Sequence, residues 1–64
     1  MLQSGAMDKE TFRRKRERLR LTQEELAKKL GKTRVTIARY ELGGTRIPKA
    51  VEMALKLVES EEKR

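Results

Sequence analysis

Residues 21–43 read LTQEELAKKLGKTRVTIARYELG, and the first half of this stretch contains both a helix start and a helix end. Thr22 followed three residues later by Glu25 is the capping-box pattern, in which each side chain binds the other residue's backbone N–H. Apolar residues then recur at helical spacing, at Leu26, Ala27 and Leu30. Gly31 tolerates the positive φ angle that closes many helices. These signals predict a helix over 23–30.

A second helix is predicted directly after the first. Thr33 can cap it, and Ile37 and Tyr40 fall on one face of a helix over about 34–41, which two glycines then end. Two short helices joined by a Gly-containing turn of about three residues have the spacing of a helix-turn-helix.

Further helices are predicted on both sides of this pair. Asp8 is a good N-cap for a first helix in which Phe12 and Leu19 lie on one face. Pro48 suits the first turn of a fourth helix, because its missing N–H has no intrahelical partner there. No segment alternates apolar and polar residues as a strand does. The predicted fold class is therefore all-α, a small bundle of four helices containing a helix-turn-helix.

The predicted domain spans residues 7–59. Residues 1–6, MLQSGA, differ in character from the rest and precede a second Met at position 7. We interpret them as an expression remnant or a disordered segment and leave them out of the fold. Residues 60–64 are expected to form a frayed tail.

The composition excludes several classes of function. The 64 residues include no Cys and no His, which removes disulfides, the usual zinc ligand sets and His-dependent catalysis. The remaining polar residues form no readable catalytic group. We therefore expect no enzyme activity, no cofactor, no metal and no small-molecule ligand. No apolar run approaches the ~18 residues of a membrane span, so a cytoplasmic location is expected, without membrane association.

The charge is strongly positive and unevenly distributed. The net charge is +7, and residues 1–50 contain fourteen Lys and Arg against six Asp and Glu, whereas residues 51–64 contain three against four. Such a balance favours a polyanionic partner, more often nucleic acid than an acidic membrane surface.

The outward face of the third helix offers side chains that can read DNA. Arg34, Val35 and Arg39 lie away from the predicted core face. Arg can bind guanine O6 and N7 in the major groove, and a small apolar side chain can contact a thymine methyl group. The alternative is that both arginines are ordinary solvated side chains. The capped helix pair, the glycine turn and the positive charge together favour DNA binding.

Residues 21–43 also resemble the signature of the lambda-repressor-like, XRE-type family of Cro and the phage repressors. The resemblance extends over about residues 12–58, and its characteristic positions are Gln23, Leu26, Ala27, Gly31, Ile37 and Glu41. It implies a bundle of four helices, or of five, in a bacterial nucleoid-associated or phage-encoded regulator of transcription. A repressor that occludes a promoter is the simplest such function. The alternative is an antitoxin or an adaptor that uses the same fold to bind a protein.

The resemblance also implies roles for individual residues. Arg34, Val35 and Arg39 occupy the base-reading positions, and Arg16 is expected to pair with Glu41 in a buried ion pair. Phosphate contacts are expected from polar residues at the helix starts and in the loop after the third helix: Gln23, Lys32, Thr33, Thr36, Thr45 and Arg46. Leu42 stands where many relatives have a polar residue, so its expected role is a core contact beside the helix cap.

The fourth helix has a second apolar stripe besides its core face. Its members are Ala50, Met53 and Leu57. They are either scattered surface residues or the contact surface of a two-fold homodimer on a pseudo-palindromic DNA operator. We favour the homodimer, although the fifth helix that pairs subunits in many phage repressors has no counterpart in the sequence.

Overall fold

The computed structural model describes residues 7–62, which form four α-helices and no strand. In chain order the helices are α1 (Lys9–Arg18), α2 (Gln23–Leu30), α3 (Arg34–Leu42) and α4 (Lys49–Glu62). The all-α prediction is confirmed. Residues 1–6 lie outside the described residues, and so does the interpretation of that segment. The segment expected to fray from residue 60 onward is helical as far as Glu62.

Each of the first three helices begins at a side-chain cap that satisfies a free backbone N–H. Asp8 accepts the N–H of Thr11 at 2.8 Å. At α2 the capping box is complete, because Thr22 accepts the N–H of Glu25 at 3.0 Å and the Glu25 carboxylate accepts the N–H of Thr22 at 2.8 Å. Thr33 caps α3. Because each of these caps joins residues only three positions apart, the helix starts could be predicted from the sequence.

The same three helices end in left-handed residues that close a Schellman motif. Gly31 has φ 72° and Gly43 has φ 85°, as expected for glycine. Arg20 has φ 60° at the end of α1, although it is not glycine. The N–H of Arg20 binds the carbonyl of Glu17, and the N–H of Leu21 binds the carbonyl of Arg16. A left-handed non-glycine residue costs roughly 1–2 kcal/mol, so the end of α1 is strained.

The start of α4 differs from the prediction by one position. Pro48 lies before the first helical residue, Lys49, and not inside the first turn. Its carbonyl accepts the N–H of Val51 and that of Glu52, both at 3.1 Å. Pro48 therefore occupies the N-cap position, which also needs no N–H from proline.

The core is built from one face of every helix. Its fully buried large side chains come one from each helix, as Phe12, Leu26, Ile37 and Leu55. Phe12 meets Tyr40 edge to face, with ring centroids 5.6 Å apart. Burying a side chain of this size contributes about 1.5–3 kcal/mol, so α3 is held in place by its inward residues. Within residues 7–62 no helix has the length and apolar character needed to cross a membrane.

Candidate nucleic-acid interface

Helix α3 has one face in the core and the opposite face in solvent. Ile37 and Tyr40 are buried, whereas Arg34 and Arg39 are exposed and Val35 keeps 53% of its surface accessible. Within residues 7–62, the face expected to read bases is therefore accessible. Two guanidinium groups and one small apolar side chain are presented together on a single short helix.

Leu42 lies on this exposed face and not in the core. Its exposed fraction is 78%, so the expected core contact beside the helix cap is wrong. Leu42 follows Val35 by seven residues, and seven residues bring a helix back to nearly the same side. The outward face of α3 thus has an apolar stripe between its arginines. The signal was present in the sequence, because the buried positions Ile37 and Tyr40 already define the opposite side.

The position of α3 is tied to α1 through Arg16 and Glu41. Arg16 Nε donates to Glu41 Oε2, and Nη2 donates to Glu41 Oε1 at 3.0 Å. The third guanidinium nitrogen, Nη1, donates to the carbonyl of Leu21 at 2.9 Å. The two charged side chains keep 14% and 6% of their surface exposed. The hydrogen bonds to Glu41 raise the pKa of Arg16 above its ordinary value.

Gln23, the first residue of α2, binds the same carboxylate. Its Nε2 donates to Glu41 Oε1 at 3.1 Å, and the residue is half-buried. The resemblance implies that Gln23 binds a DNA phosphate while extending toward the base-reading residues of α3, and it gave no indication of this bond to Glu41. Because an amide nitrogen has two hydrogens, one donor of Gln23 stays available beside the bond to Glu41.

The start of α3 brings together several of the expected phosphate ligands. Thr33 Oγ1 accepts the N–H of Thr36 at 3.2 Å, and the two threonine hydroxyls lie 3.0 Å apart. One of the two hydroxyl hydrogens is used between them, and the other remains for an outside acceptor. Lys32 and Arg34 are exposed on either side of Thr33. This cluster combines a cationic pair, a hydroxyl donor and a helix N-terminus, all of which suit a phosphate oxygen.

Comparison with known proteins identifies the family. A sequence model described as helix-turn-helix, of the XRE, Cro and C1 type, matches residues 12–59. The chain belongs to this helix-turn-helix family. Among curated proteins none matches the chain significantly. Membership implies that the protein binds DNA, and proteins of this family are typically not enzymes.

In this helix-turn-helix protein, α2 and α3 are the two helices of the motif, and α3 takes the position of its second helix. Thr45 and Arg46 lie apart from the start of α3, in the loop that joins α3 to α4, and both are exposed. Residues 7–62 contain no group of carboxylates that could hold a metal ion.

Three basic residues of α1 form ion pairs within the molecule. Arg13 meets Glu17 at 3.1 Å on the surface, and Lys15 meets Glu59 of α4 at 3.1 Å. Arg16 meets Glu41, as described above. Half of the six basic residues over 13–20 are therefore paired within the molecule.

Proposed function

We propose that the protein is a sequence-specific double-stranded DNA-binding regulator of transcription that inserts α3 into the major groove. The observation that supports this most strongly is the exposure of Arg34, Val35 and Arg39 on α3, opposite the face held in the core. Arg34 and Arg39 supply bidentate donors for guanine, and Val35 supplies an apolar contact for a thymine methyl group.

Phosphate contacts position the recognition helix. Lys32, Thr33 and Thr36 cluster at the start of α3, and Gln23 lies at the start of α2 with a donor available. Thr45 and Arg46 add a contact from the loop before α4. Such contacts set the register of the protein on the duplex and add affinity on every sequence.

The mode of regulation proposed is repression by occupancy of a promoter. The protein would bind as a homodimer to a pseudo-palindromic operator, because two copies related by a two-fold axis present two recognition helices about 34 Å apart. In this scheme occupancy depends on protein concentration and on pairing of the two copies.

Selection of bound sites from a pool of random duplexes tests this proposal. We expect enrichment of a two-fold symmetric consensus with guanines in each half-site, and competition by that consensus but not by a scrambled duplex. Equal binding to all duplexes at matched salt would contradict it, because phosphate contacts alone carry no sequence information.

A second candidate function is an adaptor or antitoxin that binds a protein through α3. The observation that favours it is the exposed apolar pair on α3, Val35 at 53% and Leu42 at 78%. Under this alternative, Leu42→Asp abolishes capture of the partner protein and the random-duplex selection enriches no sequence.

A further inference from the structure

Helix α4 exposes a line of residues with the spacing of a two-stranded coiled coil. The exposed residues at this spacing are Ala50, Met53, Leu57 and Ser60, with Met53 and Leu57 exposing 58% and 66% of their surface. We call these four residues the α4 seam. The steps of three, four and three residues are those of the a and d positions of a heptad.

We propose that the α4 seam packs in parallel against the α4 seam of a second copy of this chain, with Lys56 of each copy beside Glu61 of the other. The core-facing residues of the same helix, Val51, Leu55 and Val58, are buried within the chain. The seam therefore adds a second contact surface to α4 without disturbing the first.

The charges beside the seam favour a parallel pair. Lys49 and Lys56 are exposed along one edge, and Glu61 is exposed along the other. With the seam at a and d, the two lysines take the g position and Glu61 takes an e position. In a parallel pair, a g residue lies beside the e residue five positions later in the other helix. Lys56 of each copy therefore lies beside Glu61 of the other, which gives two ion pairs. In an antiparallel pair, the lysine edge of one copy lies against the lysine edge of the other, so lysines face lysines.

The distribution of charge along α4 determines how a parallel pair would face DNA. Arg46 precedes α4 and Lys49 opens it, and Glu52 also lies in its first turn. Glu59, Glu61 and Glu62 lie at its C-terminal end, where Glu59 and Glu62 form ion pairs with Lys15 and Lys29 of the same chain. A parallel pair about a two-fold axis puts Arg46 and Lys49 of both copies on one side and six of the eight α4 carboxylates on the other. This step rests on the proposed function, because it assigns the basic side to the DNA phosphates through the loop that contains Arg46.

The small contact area of the seam determines the conditions under which the two copies pair. Four side chains from each copy, one of them Ala and one Ser, give much less contact than the ~1,600 Å² of a standard interface. The pairing is therefore weak for free copies and becomes effective when two half-sites hold the copies side by side, which raises their effective concentration. Binding to a two-half-site operator is then cooperative, and binding to one half-site is not affected by the seam.

Disulfide formation tests the direction of pairing, because the chain has no Cys of its own. In a parallel pair residue 57 faces residue 57, so Leu57→Cys should form a disulfide dimer under mild oxidation, both on the selected operator and free at high concentration. Lys28→Cys, exposed on α2, controls for random collisions. The proposal is overturned if Leu57→Cys crosslinks no faster than Lys28→Cys. It is also overturned if crosslinking needs a mixture of Met53→Cys and Leu57→Cys chains, as an antiparallel pair does.

Charge exchange tests the contacts that flank the seam. Lys56→Glu puts two carboxylates together in a parallel pair, and we expect roughly a tenfold loss of cooperativity on two half-sites. Lys56→Glu combined with Glu61→Lys keeps the net charge and should restore cooperativity. Stronger pairing of Lys56→Glu alone would indicate the antiparallel arrangement and contradict the proposal.

A third variant separates this inference from the proposed function. Met53→Glu with Leu57→Lys leaves the net charge unchanged and should abolish cooperativity while the affinity for a single half-site stays within about twofold. If the wild type selects no sequence but the Leu57→Cys variant forms the disulfide dimer in solution, the DNA-reading proposal is refuted and the seam stands. Unchanged cooperativity of the double variant on two half-sites would refute the seam and leave DNA reading standing.

Discussion

Arg16 of α1 and Glu41 of α3 are joined by two hydrogen bonds, and Gln23 of α2 donates to the same carboxylate. One side chain, Glu41, therefore connects the first three helices. Arg39, a proposed base-reading residue, lies two positions before Glu41 on α3. The hydrogen bonds of Glu41 therefore affect the position of Arg39 as well as the stability of the fold. A single carboxylate therefore contributes both to the stability of the fold and to the position of the proposed recognition helix.

Arg16→Ala should lower the free energy of unfolding by about 3 kcal/mol, because it leaves the nearly buried Glu41 carboxylate without its cation. Urea denaturation followed by circular dichroism measures the change. Arg13→Ala is the matched control on the same helix. Its pair with Glu17 is exposed, so the loss there should stay below about 1 kcal/mol. Equal unfolding midpoints for Arg16→Ala and the wild type would remove the structural role assigned to the pair.

Gln23→Ala should weaken binding to every duplex by a similar factor and should also lower stability by about 1 kcal/mol, the value of a typical hydrogen bond. The first effect follows from the proposed phosphate contact and the second from the bond to Glu41. Fluorescence anisotropy on the selected operator and on a scrambled duplex measures the first. A change in base preference, with scrambled binding unaltered, would argue against the phosphate role.

Arg20→Gly should stabilise the protein by about 1 kcal/mol, because glycine adopts the left-handed conformation at the end of α1 without steric cost. Arg18→Gly is the matched control: Arg18 lies inside α1, where glycine should destabilise by about 1 kcal/mol. Guanidinium denaturation of both variants tests whether their free energies of unfolding change in opposite directions. Destabilisation by both would show that φ at Arg20 is not strained.

Acid should weaken the cap of α1. Hydrogen bonds from the side chain and the backbone N–H of Thr11 lower the pKa of Asp8 below its ordinary value of 3.8. A carboxyl group with a lowered pKa in the folded state adds stability above its ordinary pKa and loses that stability as the pH falls toward the lowered one. Compared with Asp8→Asn, which does not titrate, the wild type should therefore lose relative stability below about pH 4. A constant difference between the two urea midpoints across this range would contradict the assignment.

The sequence alone predicted the elements whose ends are marked by local signals. Helix α2 was placed correctly at both ends, because Thr22, Glu25 and Gly31 each act within a few residues of their own position. The end of α1 has the same closing geometry but has Arg20 in place of glycine, so no local signal marked it. Pro48 fits two neighbouring helix positions equally well, and only the hydrogen bonds of its carbonyl distinguish them.

The site was predictable where it depended on the direction of one helix face. Arg34, Val35 and Arg39 point outward because Ile37 and Tyr40 point inward, which is a property of helical spacing. The bond from Gln23 to Glu41 joins residues eighteen positions apart, and no spacing rule reaches across the turn between α2 and α3. The core contact expected of Leu42 is wrong, because Leu42 lies on the same outward side of α3 as Val35, seven residues earlier.

The most direct test of base reading by α3 compares selected sites for the wild type, Arg34→Ala and Arg39→Ala. The account predicts that each variant loses about 1–3 kcal/mol of discrimination at one guanine position per half-site and keeps its preference elsewhere. Lys28→Ala, which removes the same charge from the exposed surface of α2, should leave the consensus unchanged. If both arginine variants select the wild-type consensus with uniformly weaker binding, these side chains contact phosphates, and the central claim is contradicted.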